Sequence, residues 1–91
     1  MKTFVVIGLG RFGNAVATEL CTLGHEVLAI DADPEKVQKV VDLVTHAVTG
    51  DARDAAVLRA LGVRNYDCAI VATGNDVGNS ALITLNLKEV G

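Results

Sequence analysis

The chain has 91 residues, a length that fits one small domain. Hydrophobic residues make up 51% of it and aromatic residues 3%, which excludes a disordered chain and predicts a core of Val, Leu, Ile and Ala. A net charge of −3 without a basic cluster argues against a nucleic-acid partner, and no apolar run approaches the roughly eighteen residues that span a bilayer.

The first predicted strand, Thr3–Ile7, runs straight into a G-x-G-x-x-G motif at residues 8–13. In a nucleotide-binding turn, the first glycine (Gly8) allows the sharp turn and the second (Gly10) lets a pyrophosphate approach the backbone. The third (Gly13) lets the following helix pack closely, and that helix offers its N-terminal N–H groups to the phosphates. The motif predicts an adenine-nucleotide site, and the alternative is a βα turn without a ligand.

A carboxylate stands eighteen residues after the motif. The second predicted strand, Glu26–Asp31, ends on Asp31, which can accept hydrogen bonds from a ribose diol. This acid also argues against a 2′-phosphorylated cofactor, because two anions would then face each other. Asp33 is expected either to cap the next helix, with Pro34 at its first position, or to share the ribose.

The helices are predicted from apolar residues at helical spacing and from their capping residues. The first helix is predicted to stop at Gly24. The third is capped by Asp54 and ends at Gly62, and the fourth runs to about Val90. The stripe of the first helix comprises Phe12, Val16, Leu20 and Leu23. The inner face of the second comprises Val37, Val40, Val41 and Val44, and Leu58 and Leu61 of the third face inward.

Two more strands, Ala47–Thr49 and Cys68–Ala72, alternate with these helices. The alternation predicts an α/β, Rossmann-like parallel sheet in the order 3-2-1-4. The complete doubly wound fold has two further strands, so we interpret residues 1–91 as the truncated N-terminal lobe of a longer chain that dimerises. The start of the chain shows no signal peptide, and Cys21 and Cys68 are expected to be buried free thiols in a reducing cytosol.

Further candidate ligand contacts lie at the predicted strand ends. Arg11, inside the glycine loop, is placed to bind phosphate and favours ADP or ATP over a dinucleotide, the alternative being a solvated side chain. Asp51 ends the third strand, where it can accept from an adenine amino group. The end of the fourth strand supplies Thr73, Gly74 and Asn75. Asn75 either contacts phosphate or a second ribose, or caps the last helix.

The conjunction of five segments resembles the N-terminal nucleotide-binding lobe of the RCK/KTN (TrkA-N) family, with the Ktr-type regulators most similar. The segments are FVVIGLGRFG (4–13), GHEVLAID (24–31), THAVTGD (45–51), LGVRNYD (61–67) and AIVATGND (69–76). The resemblance covers essentially the whole chain and implies a cytoplasmic regulatory domain, peripheral to the membrane. Such domains bind ATP, ADP or NAD(H), assemble as dimers within octameric rings and dock on a membrane potassium-translocating subunit.

Carried over by position, the resemblance implies a role for each part of the crevice. It places Gly8, Gly10, Arg11 and Gly13 at the phosphates, Asp31 at the ribose, Asp51 and Arg53 beside the adenine, and Thr73 and Gly74 on the far wall. The expected site also includes Phe12, Ala32 and Ala52, and Mg²⁺ is a candidate companion of ATP.

Two other functions stay open from the sequence. One is the coenzyme half of a small NAD-dependent dehydrogenase, since G-L-G-x-x-G also occurs in such enzymes. The other is a purely structural domain with an empty crevice. His25 and His46 fall at strand entrances, opposite the crevice and with no nucleophile or metal-ligand partner at useful spacing. The sequence therefore predicts a binding module with no reaction centre.

Overall fold

A four-stranded parallel sheet forms the centre of the computed structural model, which describes residues 1–73, 83, 85, 87 and 88. Its strands are β1 (Thr3–Ile7), β2 (Glu26–Asp31), β3 (His46–Thr49) and β4 (Cys68–Val71). Their order is β3-β2-β1-β4, and every pair is parallel. This confirms the predicted Rossmann-like order, and the bounds of β1 and β2 agree with the sequence-based prediction.

Three helices connect the strands: α1 (Arg11–Thr22), α2 (Pro34–Val40) and α3 (Ala55–Ala60). Asp33 caps α2 by accepting a hydrogen bond from the Glu35 N–H at 2.9 Å, and Asp54 caps α3 in the same way through Ala56. Both predicted caps are therefore confirmed. A short 3₁₀ helix, Val63–Asn65, follows the left-handed Gly62 and was not predicted.

The two faces of the sheet carry separate hydrophobic clusters. On one face α1 and α2 cover side chains of β1 and β2; its buried members are Val6, Leu9, Ala17, Val27, Ala29, Val37, Val40 and Val44. The other face is covered by α3 and the 3₁₀ helix; its buried members are Val5, Ile7, Leu28, Ile30, Ala52, Leu58, Val63 and Ile83. Burial of β1 and β2 on both faces explains their continuous apolar sequences.

Four residues expected to be buried are exposed instead. Phe12, in the first turn of α1, is 67% exposed, and Leu23 is 63% exposed because it follows the end of α1. Val41 is 39% exposed, since α2 ends at Val40 and the helical spacing no longer applies. Cys68 is exposed at the start of β4, whose described neighbour is β1 alone, while Cys21 is half-buried.

The predicted last helix falls mostly outside the described residues, although Ile83, Leu85, Leu87 and Lys88 are helical. Leu61 is half-buried against the core around Leu58, as the helical spacing indicated. Within the part of the chain that the structure describes, no helix has the length and apolar character needed to cross a bilayer.

Candidate functional site

A cavity of about 450 Å³ opens at the carboxyl ends of the strands. Its volume lies in the range of small-molecule sites, and its position is where parallel α/β sheets bind ligands. The lining residues are Ile7, Gly8, Leu9, Gly10, Arg11, Phe12, Ile30, Asp31, Ala32, Lys36, Gly50, Asp51, Ala52, Arg53, Ala72, Thr73 and Ile83. The fold thus brings ten of the thirteen predicted site residues together around one cavity.

Two glycines of the loop are required by the protein itself. Gly8 has φ +95°, and a Cβ atom there would lie 2.5 Å from the carbonyl oxygen of Ala72. At Gly13 a Cβ atom would overlap the carbonyl oxygen of Gly8, so this glycine lies beneath the cavity and lets α1 pack against the loop. The predicted turning and packing roles of these glycines agree with this geometry.

Gly10 differs from both of them. Its backbone has φ −67° and ψ −165°, an extended conformation open to other residues, and it is exposed. Among the residues that the structure describes, a Cβ atom there would meet no heavy atom within 4 Å. Nothing in the described protein therefore requires a glycine at this position, which faces the cavity directly in front of α1.

The N-terminus of α1 is also built differently from those of α2 and α3. Those two helices are capped by aspartates, whereas α1 begins after Gly10 with no side-chain cap and no acidic residue in its first turn. Its first residue is instead the exposed Arg11, whose charge opposes the helix dipole. An anion in the cavity would interact favourably with both the N–H groups and the guanidinium.

The half-buried Asp31 connects the glycine loop with the loop after β2. Its Oδ2 accepts from the Leu9 N–H at 2.7 Å, and its Oδ1 accepts from the Asp33 N–H at 2.8 Å. A carboxylate has about four acceptor positions, so each oxygen can still accept one further hydrogen bond. This remaining capacity suits two neighbouring hydroxyl groups, as in a ribose.

At the end of β3, Asp51 and Arg53 form an ion pair that the sequence did not predict. The Arg53 Nε donates to Oδ1 of Asp51 at 2.9 Å, and a terminal guanidinium nitrogen donates to Oδ2 at 2.8 Å. The Arg53 N–H also donates to Oδ1 at 3.0 Å. These hydrogen bonds hold the pKa of Asp51 below its ordinary value, so the carboxylate stays ionised.

The remaining predicted positions have different outcomes. Thr73 lines the cavity at the end of β4, opposite β2 and β3, whereas Gly74 and Asn75 lie outside the described residues. His25 lies at the opposite end of the sheet, where its Nδ1 accepts from the Lys2 N–H at 3.1 Å and its ring contacts Phe4 edge-on. The position of His25 away from the crevice is therefore confirmed.

Comparison with known families identifies the domain. The model of the TrkA-N domain matches residues 4–91. The chain belongs to the TrkA-N domain family. Its curated relatives include the Ktr system potassium uptake proteins C and A of Bacillus subtilis, at 49% identity over 90 residues and 48% over 89. These alignments cover 99% and 98% of this chain but 41% and 40% of the relatives, so the chain spans about two fifths of their length.

Solved structures agree on the fold of this TrkA-N chain. The NAD(P)-binding domain of an exopolyphosphatase-related protein from Archaeoglobus fulgidus superposes with a TM-score of 0.88 at 27% identity, covering 100% of this chain and 68% of that one. The AMP-bound Kef C-terminal domain of Shewanella denitrificans superposes with a TM-score of 0.77 at 22% identity, covering 96% and 52%. At this identity the second likeness supports the fold alone.

The cavity of the TrkA-N chain carries more positive charge than the chain as a whole. Its described lining has three cations, Arg11, Lys36 and Arg53, against two carboxylates, Asp31 and Asp51, while the chain has a net charge of −3. Lys36 was not predicted from the sequence. The available signal was its place in the first turn of the helix that begins just after Asp31.

Proposed function

We propose that this chain is an adenine-nucleotide-binding regulatory domain that controls a membrane potassium transporter or channel through ligand-dependent conformational change. The observation that carries the proposal is Gly10, a glycine at the mouth of the cavity that no described protein atom requires. A phosphate approaching the N-terminus of α1 would require the absence of a side chain there. The roles proposed below for the other site residues follow from placing the phosphates at Gly10.

The phosphates are expected at the N-terminus of α1, against Gly10 and Arg11. A dinucleotide pyrophosphate carries about two negative charges and ATP nearly four, so the additional cation favours ADP or ATP over NAD(H). Mg²⁺ would arrive with ATP, because this ion binds mainly through phosphates and water with few protein carboxylates. Within the described residues, no group of three His, Cys, Asp or Glu side chains could hold a metal ion.

The ribose is expected at Asp31, whose oxygens keep acceptor capacity beyond their bonds to Leu9 and Asp33. Asp31 disfavours a 2′-phosphate by charge repulsion. Lys36, whose cation also lines the cavity, would instead attract a 2′-phosphate. Asp31 holds a fixed position through two hydrogen bonds whereas Lys36 is exposed, so we expect Asp31 to prevail.

Control of transport requires a ligand with different affinity for two conformations. The γ-phosphate is the natural discriminator, because its added charge lies within reach of Arg11 and the helix end. A complete switch needs a preference of about 5.5 kcal/mol, more than one arginine contact supplies, so several subunits must contribute. We therefore propose a homodimer or larger ring, octameric in the complete protein, that acts on a potassium-translocating subunit from the cytoplasmic side without entering the membrane.

The second candidate is the coenzyme-binding half of an NAD-dependent dehydrogenase. It is favoured by the likeness to a domain described as NAD(P)-binding, at 27% identity. Two relatives described as potassium uptake proteins, at 49% and 48% identity, support regulation rather than catalysis. We therefore place the dehydrogenase second.

The proposal is tested in cells by replacing the wild-type protein with Gly10→Ala and measuring potassium uptake together with nucleotide binding by the purified protein. We expect Gly10→Ala to lose both nucleotide binding and the nucleotide dependence of uptake. Arg59→Ala, an exposed α3 variant outside the cavity lining, is the matched control and should keep both. Wild-type nucleotide binding by Gly10→Ala would contradict the placement of the phosphates at Gly10. Wild-type regulation of uptake by a Gly10→Ala protein that binds no nucleotide would refute control through this site.

A further inference from the structure

The ion pair between Asp51 and Arg53 holds a guanidinium group in a fixed plane at the cavity wall. Two hydrogen bonds, of 2.9 and 2.8 Å, join two nitrogens of the guanidinium to the two oxygens of the carboxylate. A two-bond pairing of this kind keeps the two planar groups close to one plane. The Arg53 and Asp51 side chains are 50% and 44% exposed. An ion pair with this exposure contributes little to the stability of the fold.

The backbone that carries the pair is fixed as well. Between its two members, the buried Ala52 packs into the hydrophobic cluster under the cavity. The Asp54 N–H donates to the Asp51 carbonyl oxygen at 3.0 Å, which closes a turn around Ala52. Arg53 is thus positioned from both its main chain and its guanidinium, so little freedom remains for it to lose on contact with a ligand.

The order of the strands places this guanidinium beyond the ribose position. The phosphates are expected in front of β1 at Gly10, and the ribose one strand further along, at Asp31 on β2. The next strand is β3, whose Thr49 lies in register with Asp31, and the Gly50 N–H donates to the Asp31 carbonyl oxygen at 3.0 Å. A nucleotide extending in that direction brings its base to the wall lined by Asp51 and Arg53.

We propose that Arg53 is a stacking platform for the nucleotide base and that Asp51 is the positioning residue that holds it flat. This inference rests on the proposed nucleotide-binding function and gives Asp51 a different role from accepting the adenine amino group. Oδ1 of Asp51 already accepts two hydrogen bonds and Oδ2 one, which leaves little capacity for reading the base edge. Guanidinium planes stack on the faces of nucleobases, and such stacking tolerates differences between bases.

The test compares AMP with ribose 5-phosphate, and ADP with GDP and UDP, by calorimetric titration of the protein in its full natural length. Wild type should bind ADP and GDP more tightly than UDP, because a purine offers a larger face for stacking than a pyrimidine. Arg53→Ala should weaken AMP binding roughly tenfold or more and leave ribose 5-phosphate binding nearly unchanged. Arg53→Lys keeps the charge without the plane and should behave like Arg53→Ala, whereas Asp51→Asn should give an intermediate loss.

The possible failures are distinguishable. If the wild type binds none of these ligands, the proposed function fails and the stacking proposal with it. If the wild type binds but Arg53→Lys retains wild-type affinity for AMP, Arg53 contributes only charge and the stacking proposal is wrong. An equal loss of AMP and ribose 5-phosphate binding in Arg53→Ala contradicts it too. Thermal unfolding of each variant verifies folding, which these exposed substitutions should preserve.

Discussion

The main-chain N–H of Leu9, in the middle of the glycine loop, donates a 2.7 Å hydrogen bond to the side chain of Asp31 at the end of β2. The residue expected to bind the ribose is therefore also part of the support of the phosphate-binding loop. Because the second oxygen of Asp31 holds the Asp33 N–H, one carboxylate fixes two segments of the cavity wall. Loss of this side chain should affect both stability and binding.

Asp31→Ala is expected to lower the free energy of unfolding by about 1–3 kcal/mol, because it leaves a main-chain donor of the loop without its charged acceptor. Asp31→Asn should cost less, since its amide oxygen can still accept one of the two hydrogen bonds. Urea unfolding followed by circular dichroism measures both. Equal stability of Asp31→Ala and wild type would show that the Leu9 contact contributes nothing.

The ribose role of Asp31 is separable from its structural role. Wild type is expected to bind ADP more tightly than 2′-deoxy-ADP, and Asp31→Ala should bind the two equally because the hydroxyl acceptor is gone. Titration calorimetry with both ligands gives this ratio, which a general loss of stability does not change. Equal affinity of the wild type for the two ligands would mean that Asp31 does not bind the 2′-hydroxyl group.

Gly10 and Gly13 should respond in opposite ways to the same substitution. Gly10→Ala adds a methyl group that meets no atom of the described residues, so the free energy of unfolding should stay equal or rise by up to about 1 kcal/mol. Gly13→Ala drives a Cβ atom into the Gly8 carbonyl oxygen and should destabilise the protein strongly. Thermal unfolding compares them, and strong destabilisation by Gly10→Ala would mean that the fold itself requires this glycine.

Arg11→Ala is expected to weaken ATP binding more than ADP binding, because its charge is proposed to act on the terminal phosphate. Arg11→Lys keeps the charge and should retain part of the preference. Arg59→Ala, on α3 outside the cavity lining, is the control for the loss of one positive charge. An unchanged ratio of ATP to ADP affinity in Arg11→Ala would exclude Arg11 as the discriminator.

Asp67 should make part of the stability depend on pH. Its Oδ2 accepts from the Thr3 N–H at 2.8 Å and from the Thr3 hydroxyl at 3.1 Å, and chiefly the main-chain bond lowers the pKa of Asp67 below its ordinary value of 3.8. Because the pKa of Asp67 is lower in the folded state than in the unfolded state, its ionised carboxylate stabilises the fold at pH values above the ordinary pKa. This contribution disappears as the pH falls through the folded-state pKa. Asp51 has a lowered pKa as well, so the Asp67 contribution must be isolated by mutation.

The measurement is urea unfolding of wild type and Asp67→Asn between pH 7 and pH 3. Wild type should be the more stable protein at neutral pH, and the difference should shrink as the pH falls through the acidic range. A difference that stays constant with pH would mean that the ionisation of Asp67 does not contribute to stability.

The sequence predicted the parts of the fold that depend on local patterns. The bounds of β1 and β2 and the caps Asp33 and Asp54 follow from continuous apolar segments and from short-range hydrogen bonding, both readable along the chain. The exposure of Phe12 and Leu23 was missed because helical spacing does not show which residues at the two ends of a helix are covered by the rest of the protein.

Within the candidate site, the sequence predicted which strand ends converge but not how their side chains pair. The Arg53–Asp51 contact depends on the turn that Asp51 makes with the main chain of Arg53, which residue spacing does not specify. Lys36 was missed because its place beside the cavity depends on how α2 leaves β2. Pairing and proximity of this kind arise from tertiary geometry.

The most direct test of the account is calorimetric titration of the protein, in its full natural length, with ATP, ADP, NAD⁺, NADH and NADPH, without and then with Mg²⁺. We expect saturable binding of ATP and ADP at one site per chain, weaker binding of NAD⁺ and NADH, and the weakest binding of NADPH. Tightest binding of NADH or NADPH, or no binding of any adenine nucleotide, would contradict it.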